Sequence, residues 1–373
     1  MDPVTHVAAG ALISQLLPGP SRGWSAVAGV IFALLPDIDY FLIFSDRLTF
    51  IRHHRGFSHS LLALPLFALL GAMVGRALGG PRWFRPLFFI GLAMVASHLL
   101  LDLATSYGTQ ILFPFSLKRF TLDWLFIIDP YLTALLLAGA VTAIWLANRG
   151  REFGAFFLAA AGVYILLCAC YHHQALNLAR QVFPEPTPGQ PACSLSHRHT
   201  LTVPGQMFPA DAEKLTVAAL PQPFSCRRWQ LIAANCQEVQ QTFVLLPYPA
   251  LLGIGTHPEA PNLTRLSFNP GCLVPDGPYR PPEDLQIQVW TGLPLPDLKG
   301  QPETIRILDR YLEFARFPLL HRVEPQGDGQ LLEWLDLRFS VPGRGFPFVL
   351  QLYLDAEGRV QKWLIGRCKD EKA

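Results

Sequence analysis

Histidine and aspartate collect at the ends of the most apolar segments of this chain, in the stretches PDID, HHRGFSHS and SHLLLD. Neutral imidazole and carboxylate together form a ligand set that suits zinc and related divalent ions. Ionisable groups beside hydrocarbon are costly, and in membrane segments they usually mark a function. The sequence therefore predicts a metal site at a membrane surface.

The stretch SHLLLD places His98 and Asp102 four residues apart. On a helix these two side chains share one face, about one turn from each other, so both can reach a single ion. The alternative is an intrahelical hydrogen bond that only makes two polar groups tolerable in the bilayer. The further ligands in neighbouring segments favour the metal.

The stretch HHRGFSHS is the strongest local signal. Its two histidines, His54 and His59, are spaced to serve a metal, and Arg55 can hold an anion such as phosphate bidentately. Gly56 permits unusual backbone angles or the close approach of a ligand. The alternative is a basic juxtamembrane loop that is attracted to anionic lipid.

Further acids lie in PDID and ahead of a later apolar run. Asp37 and Asp39 are two residues apart and would not share a helical face, but Pro36 disfavours helix just before them. In a turn both carboxylates can point into one site, or one of them can cap the next turn. Asp129 is a candidate ligand, general base or partner that orients a histidine.

Apolar runs must position these groups, and five runs reach the roughly 20 residues that a spanning helix needs. They are Gly23–Phe44, His59–Gly79, Pro86–Thr105, Trp124–Ala147 and Phe153–Leu178. The shorter run Val4–Leu17 either spans or lies in the interface. Alternate crossings bring PDID, HHRGFSHS and SHLLLD to one membrane face, where His6 joins them if Val4–Leu17 spans. The Lys and Arg count of the two faces leaves the orientation open.

Composition separates the chain into two parts. The 373 residues are 51% hydrophobic and 16% charged, which is too apolar for an ordinary soluble protein, and the long uncharged runs lie before about residue 180. We expect an α-helical integral membrane domain with five or six transmembrane helices at 1–183, a Pro-rich linker at 184–192 and a soluble, mainly-β (α+β) domain at 193–373. Segments such as HRHTLTV, WQLIAAN, QQTFVLL and FVLQLYL predict its strands, and ETIRILDRYLEFARF predicts a helix.

Net charge and cysteine content argue against a nucleic-acid-binding protein and against a disulfide-stabilised one. The net charge of +2 and the lack of a Lys/Arg stripe indicate no nucleic-acid partner. The seven cysteines contain no C-x-x-C pair, and their pattern is not that of a disulfide framework, with a single bridge left open. The first residues lack the features of a secretory signal, so they are treated as structure.

The order of THVAAG, PDID, HHRGFSHS, SHLLLDLATSYGTQILFPFS and LDWLFIIDP resembles the YdjM-like family of membrane-bound, metal-dependent hydrolases. The resemblance covers residues 1–150 closely, and LPQPFSCRRW and EWLDLRFSV resemble a soluble extension found in a subset of that family. It implies a divalent metal held by histidines and acids. The matching positions are His6, Asp39, His54, His59, His98 and Asp102, and Asp37 and Asp129 fall at further positions of the family pattern.

Together these features predict a metal-dependent hydrolase in a bacterial cytoplasmic (inner) membrane. Zinc, with manganese as the alternative, would lower the pKa of a bound water to near neutrality. Asp129 or Asp37 would take the proton, and Arg55 would steady an anionic group. A phosphoester or lipid-like small molecule is the expected substrate, with an amide left open, and membrane lipids are the expected partners.

Two non-enzymatic hypotheses use the same residues. One is a metal or proton transporter, although transporter sites usually sit near the bilayer midplane. The other is a metal-stabilised membrane scaffold whose β domain binds a partner. The oligomeric state stays open.

Overall fold

The computed structural model describes residues 1–146, 148–183, 216–234, 238–248, 262–268, 279–296, 298 and 301–367. The chain divides into two compact units, Met1–Cys170 and Tyr171–Ala373. The predicted linker at 184–192 and the predicted strand HRHTLTV lie outside the described residues. The domain limits given above therefore stay predictions.

The described part of the first unit is helical. Its helices are α1 (Pro3–Leu16), α2 (Arg22–Leu34), α3 (Arg47–His53), α4 (Ala63–Gly79), α5 (Phe84–Leu103), α6 (Pro130–Trp145) and the first half of α7 (Gly150–Val182). A 3₁₀ helix, Leu35–Phe44, continues α2, and a short one, Phe57–His59, precedes α4. Aspartate or serine side chains cap several of these starts, as Asp46 does for α3 by accepting from Thr49 N at 2.7 Å.

Three helical segments are long and apolar enough to cross a membrane: Arg22–Phe44, Pro81–Leu103 and Gly150–Val182. A fourth crossing follows if Arg47–His59 and Ala63–Gly79, which are bent by 70° at their junction, form one broken span. Helix α6 is apolar but shorter. The described helical region thus has three to four candidate spans, and the predicted count of five or six is not confirmed.

Helices α1 and α2 pack closely because glycine faces glycine between them. A Cβ placed on Gly10 would lie 2.5 Å from the carbonyl oxygen of Gly29, so no larger residue fits at that point. On the other side of α2, Phe32 packs with Ile90 and Met94 of α5 in a buried apolar cluster. This packing brings the first turn of α1 and the last turns of α5 alongside each other.

The second unit is rich in β-structure, as the alternating segments predict. One sheet has the order β1-β2-β3-β5-β4, antiparallel except for the parallel pair β4 and β5, and the other is the antiparallel meander β6-β7-β8-β9. The strands are β1 (Thr216–Pro221), β2 (Arg228–Ala234), β3 (Glu238–Leu245), β4 (Asn262–Phe268), β5 (Asp284–Thr291), β6 (Pro318–Gln326), β7 (Gly329–Asp336), β8 (Val349–Leu354) and β9 (Val360–Gly366).

Apolar faces hold this unit together in layers. The last turns of α7 pack on one face of the first sheet, where Trp229 is fully buried. The opposite face, which includes Trp290, packs against Phe317 and Phe346 of the second sheet region. The predicted helix is present as α8 (Pro302–Leu312), whose Tyr311 hydroxyl donates to the carbonyl of Phe348 at 3.0 Å.

Candidate metal centre

Five ionisable side chains from four segments of the first unit converge. His6 comes from the first turns of α1, Asp37 from the 3₁₀ helix after α2, His59 from the turn before α4, and His98 and Asp102 from the end of α5. Four of them are almost fully buried, whereas the Asp37 side chain is 13% exposed. They form two groups that could hold a metal ion, His6–Asp37–His98 and His59–His98–Asp102.

The distances within this cluster match a zinc coordination shell. His59 Nε2 lies 3.0 Å from His98 Nε2, and these nitrogens lie 3.2 Å and 3.5 Å from Asp102 Oδ2. Asp37 Oδ1 lies 3.6 Å and 3.7 Å from the same two nitrogens. Ligand atoms about 2.0–2.1 Å from a tetrahedral zinc are roughly 3.3–3.4 Å apart. Each carboxylate therefore completes a triangle of the size that three zinc ligands make.

The hydrogen-bond partners of the two central histidines leave room for a cation between their Nε2 atoms. His98 Nδ1 is 2.6 Å from the carbonyl oxygen of Ala33, which can only accept, so the proton is on Nδ1 and the Nε2 lone pair is free. His59 Nδ1 is 3.2 Å from Asp39 Oδ2, and a carboxylate likewise fixes the proton on that nitrogen. Two lone pairs then face each other at 3.0 Å. They repel unless a metal ion or a proton lies between them.

His6 adds a third imidazole to the cluster. Its ring stacks on His98 with 3.7 Å between centroids, and its Nε2 lies 3.3 Å from Asp102 Oδ1. Among the described residues, both His6 nitrogens, Asp37 Oδ2 and Asp102 Oδ2 are buried without a hydrogen-bond partner. Buried polar atoms normally have a hydrogen-bond partner. Several buried nitrogen and oxygen atoms that lack one and lie close together are therefore suited to bind a metal ion.

Asp39 and His54, both predicted as ligands, lie behind the cluster and belong to neither donor group. Asp39 accepts from His54 Nδ1 at 2.8 Å, from the Arg55 backbone nitrogen at 3.0 Å and from Ser58 Oγ at 2.8 Å. The same carboxylate contacts His59 Nδ1, which is how outer carboxylates orient metal-binding histidines. Asp39 thus organises the HHRGFSHS loop.

Arg55 is buried and turned inward. Its backbone is in the left-handed region at φ 63°, and its guanidinium lies 3.0 Å from Asp102 Oδ1 and donates to Thr105 Oγ1 at 2.9 Å. The amino group of Met1 contacts the same Asp102 oxygen. Arg55 therefore offsets the charge of Asp102. The residue after it must be small, because a Cβ on Gly56 would lie 2.7 Å from the carbonyl oxygen of His53.

Asp129, the other predicted proton acceptor, is not part of either donor group. Its Oδ1 accepts from the backbone nitrogens of Tyr131 and Leu132 at 3.0 Å each, which caps α6. Its Oδ2 accepts from the Tyr164 hydroxyl at 2.8 Å. Both oxygens are committed to α6 and α7, so its predicted role in proton transfer stays a prediction without support from these contacts.

Arg119 is a buried residue that sequence reasoning missed. Its guanidinium donates to the carbonyls of Ile51 at 2.9 Å, Arg52 at 2.8 Å and Gly108 at 3.0 Å. It thereby satisfies the end of α3 and fixes the segment 104–129 against the HHRGFSHS loop. No spacing in the sequence indicates this role, because its partners lie more than 60 residues away or in an irregular turn.

Comparisons with known proteins find one family and several relatives. Residues 1–175 match the model of a family described as YdjM inner membrane protein. The uncharacterized protein YfhP of Bacillus subtilis is 32% identical over 176 residues, which cover 44% of this chain and 53% of that protein. The inner membrane protein YbcI of Escherichia coli is 37% identical over 106 residues, covering 26% and 57%.

A third relative, the inner membrane protein YdjM of Escherichia coli, is 36% identical over 114 residues, covering 27% of this chain and 56% of that protein. The chain thus spans about half the length of the curated relatives it matches. No solved structure matches the chain.

Proposed function

We propose that the chain is a multi-pass protein of the bacterial inner membrane, because residues 1–175 resemble the YdjM family of inner membrane proteins and three helical segments are long and apolar enough to cross a membrane. From that premise, we propose that it is a metal-dependent hydrolase that acts on a phosphoester or lipid-like substrate at the membrane surface. The proposal includes five or six spans, with α1 and α6 added to the candidate spans, and a soluble C-terminal domain.

One observation carries the proposal: the Nε2 atoms of His59 and His98 face each other at 3.0 Å, with carboxylate oxygens of Asp37 and Asp102 3.2–3.7 Å away. The mixed imidazole and carboxylate donor set fits zinc, with manganese as the alternative. His59, His98 and Asp102 are the three residues best spaced to hold the ion. A divalent ion held by these residues would supply a Lewis acid and would make a water nucleophilic near neutral pH.

Three residues around the ion-binding positions have further roles in the proposed reaction. Asp37 is the most exposed donor, so it is the group we assign to hold the proton that leaves the attacking water. Asp39 holds the His59 ring in place, and Arg55 offsets the negative charge of Asp102. Since two Arg55 nitrogens are already engaged inside the protein, its assistance to an anionic substrate is limited to long-range attraction.

Turnover by the purified full-length chain tests the hydrolase proposal. Phosphomonoester, phosphodiester, phospholipid and amide substrates are compared with the protein metal-loaded and after chelation. We expect turnover of a phosphoester that chelation abolishes, and an Asp37→Asn variant that keeps its metal but loses most of the rate. Full metal occupancy without turnover of any substrate class would refute the hydrolase.

A transporter is the second candidate, because a proton also satisfies the two facing nitrogens. The cluster lies near the ends of the spans Arg22–Phe44 and Pro81–Leu103, whereas transporter sites lie near the midplane. Metal or proton uptake into proteoliposomes that is abolished by Asp102→Ala would favour this candidate. A metal-stabilised scaffold would show neither turnover nor uptake.

A further inference from the structure

Two short loops beside the metal cluster expose a group of large apolar side chains. This group, the loop patch, consists of Phe57, Leu61, Leu62, Leu112, Phe115 and Leu117. Phe115 is 89% exposed, and the others are exposed by 42–52%. Soluble surfaces rarely carry such a concentration of apolar residues, and larger exposed patches mark a membrane or a binding partner.

The two loops form one surface. The Leu61 backbone nitrogen donates to the carbonyl of Ile111 at 2.9 Å, and the Phe57 and Phe113 rings lie 6.3 Å apart in an edge-to-face contact. On the buried side of the same loop lie His54, Arg55 and His59. The loop patch is thus the outer surface of the segment that carries the candidate metal site.

The backbone of the second loop makes its own hydrogen bonds. Phe113 N donates to the carbonyl of Gln110 at 3.0 Å, and Phe115 N and Ser116 N donate to the carbonyl of Leu112 at 2.9 Å and 3.2 Å. Irregular backbone is costly in a bilayer when its polar groups lack partners. These bonds lower that cost for a shallow position in lipid.

The loop patch continues the lipid-facing side of a candidate span. Leu62, which directly precedes α4, and Leu66, Leu69 and Met73 of α4 follow one another at helical spacing, and all four are exposed. Helix α4 is part of the broken candidate span, so this stripe faces lipid if the span crosses. The exposed Lys118 follows the patch directly, which places a cation where lipid headgroups lie.

We propose that the loop patch is embedded in the bilayer, at the boundary between lipid headgroups and acyl chains. Its occupant is membrane lipid, held by apolar contact with Phe115 and its neighbours and by the charge of Lys118. Lipid then reaches the outer surface of the metal-site loop directly. The consequence that a membrane lipid is the substrate rests on the proposed function, whereas the embedding of the patch does not.

Photo-crosslinking in nanodiscs tests the embedding with the full-length protein. Phe115 is replaced with p-benzoylphenylalanine by amber suppression, in phosphatidylethanolamine–phosphatidylglycerol bilayers, and lipid adducts are measured by mass spectrometry. The matched control places the probe at Ser45, an exposed turn residue beside Asp46. The reference position is Leu70, which is exposed in the middle of α4.

We expect lipid adducts at Phe115 close to the yield at Leu70 and several-fold above the yield at Ser45. A yield at Phe115 no higher than at Ser45, with adducts still formed at Leu70, would overturn the proposal. The measurement needs neither metal nor turnover. A failed hydrolase assay together with lipid adducts at Phe115 would therefore refute the hydrolase alone.

Discussion

Each unit of this protein buries histidine against a carboxylate, and the two arrangements differ in how many donors meet. In the second unit, His321 on β6 lies 3.3 Å from Glu333 on β7, with both side chains 2% exposed. The guanidinium of Arg322 lies 3.5 Å from the same Glu333 oxygen, and Gln351 donates to the other oxygen. In the first unit, three imidazoles and two carboxylates share one point.

The comparison shows which features distinguish a site from a structural pair. Buried imidazole nitrogens without a hydrogen-bond partner do not distinguish the two, because both His6 and His321 have them. What distinguishes the first unit is that the Nε2 atoms of two histidines, His59 and His98, face each other at 3.0 Å with Asp102 beside both. A neighbouring guanidinium does not distinguish the two units, because Arg55 lies beside Asp102 as Arg322 lies beside Glu333.

The largest expected effect is the loss of metal from the first unit only. In detergent-purified protein, His59→Ala and His98→Ala each remove one ligand, and we expect metal affinity to fall by more than about 100-fold, beyond the effect of outer-shell changes. Metal content by plasma mass spectrometry checks this against His321→Ala, which should keep the wild-type content. Equal loss in all three variants, or no metal in folded wild type after metal addition, would remove the distinction.

A smaller effect is expected behind the cluster. Asp39→Asn weakens the hold on His59 Nδ1 without removing a ligand, so metal affinity should fall by about 10–100-fold. Competition with a chelating dye measures it. Asp46→Asn is the matched control, because Asp46 caps α3 outside the cluster and should leave the affinity unchanged. An Asp39→Asn loss as complete as that of His59→Ala would place Asp39 among the ligands.

The roles of the two PDID acids illustrate what sequence reasoning could not reach. Pro36 does not break the chain there; the segment forms a 3₁₀ helix. Two residues advance about 240° around such a helix, so Asp37 and Asp39 point to different sides of His59. Helical spacing within SHLLLD, by contrast, is local, and the structure does bring His98 and Asp102 together.

The fold also shows that local patterns are predictable from the sequence, whereas features that depend on the folded chain are not. The prediction of a β-rich C-terminal region is confirmed, because period-two alternation is a local pattern that survives folding, as in β8. Hydropathy predicted a span at Trp124–Ala147, but α6 begins only at Pro130, where Asp129 caps it. Hydropathy averages composition over a window and does not detect where a helix starts.

In the second unit we expect an effect on stability and none on metal. Glu333→Gln removes the negative charge and one of the two acceptor oxygens that serve His321, Arg322 and Gln351, which should lower the free energy of unfolding by about 1–3 kcal/mol. Hydrogen exchange of β7 in the full-length protein measures it, with metal content followed in parallel. Loss of metal in this variant would mean that the second pair also serves the site.

The pH dependence sharpens the Glu333 prediction. Burial alone would raise the pKa of Glu333, but the contacts with His321 and Gln351 and the charge of Arg322 outweigh it and lower the pKa below 4.5. Stability from this group is therefore present above the unfolded-state pKa and is lost as pH falls through the folded-state pKa. The Gln variant should lack that loss, and a loss of equal size would assign it to other groups.

The smallest expected effect comes from Asp309, a partly buried carboxylate that lies near the negative charge of Glu313. Burial, with the charge of Glu313 added, raises the pKa of Asp309 on α8 to about 6. Stability from this group is present below the unfolded-state value of 3.8 and is lost as pH rises through about 6. Asp309→Asn should therefore stabilise α8 near neutral pH, by less than about 1 kcal/mol because the group is partly solvated.

Hydrogen exchange of α8 at about pH 8 and about pH 4 checks the sign, since the gain should vanish at the lower value. Glu313→Gln is the matched control: it removes only the neighbouring charge, so its gain should have the same sign and be smaller. A gain for Asp309→Asn that persists unchanged at the lower pH would mean that amide packing, and not the cost of a partly buried charge, distinguishes this acid from Glu333.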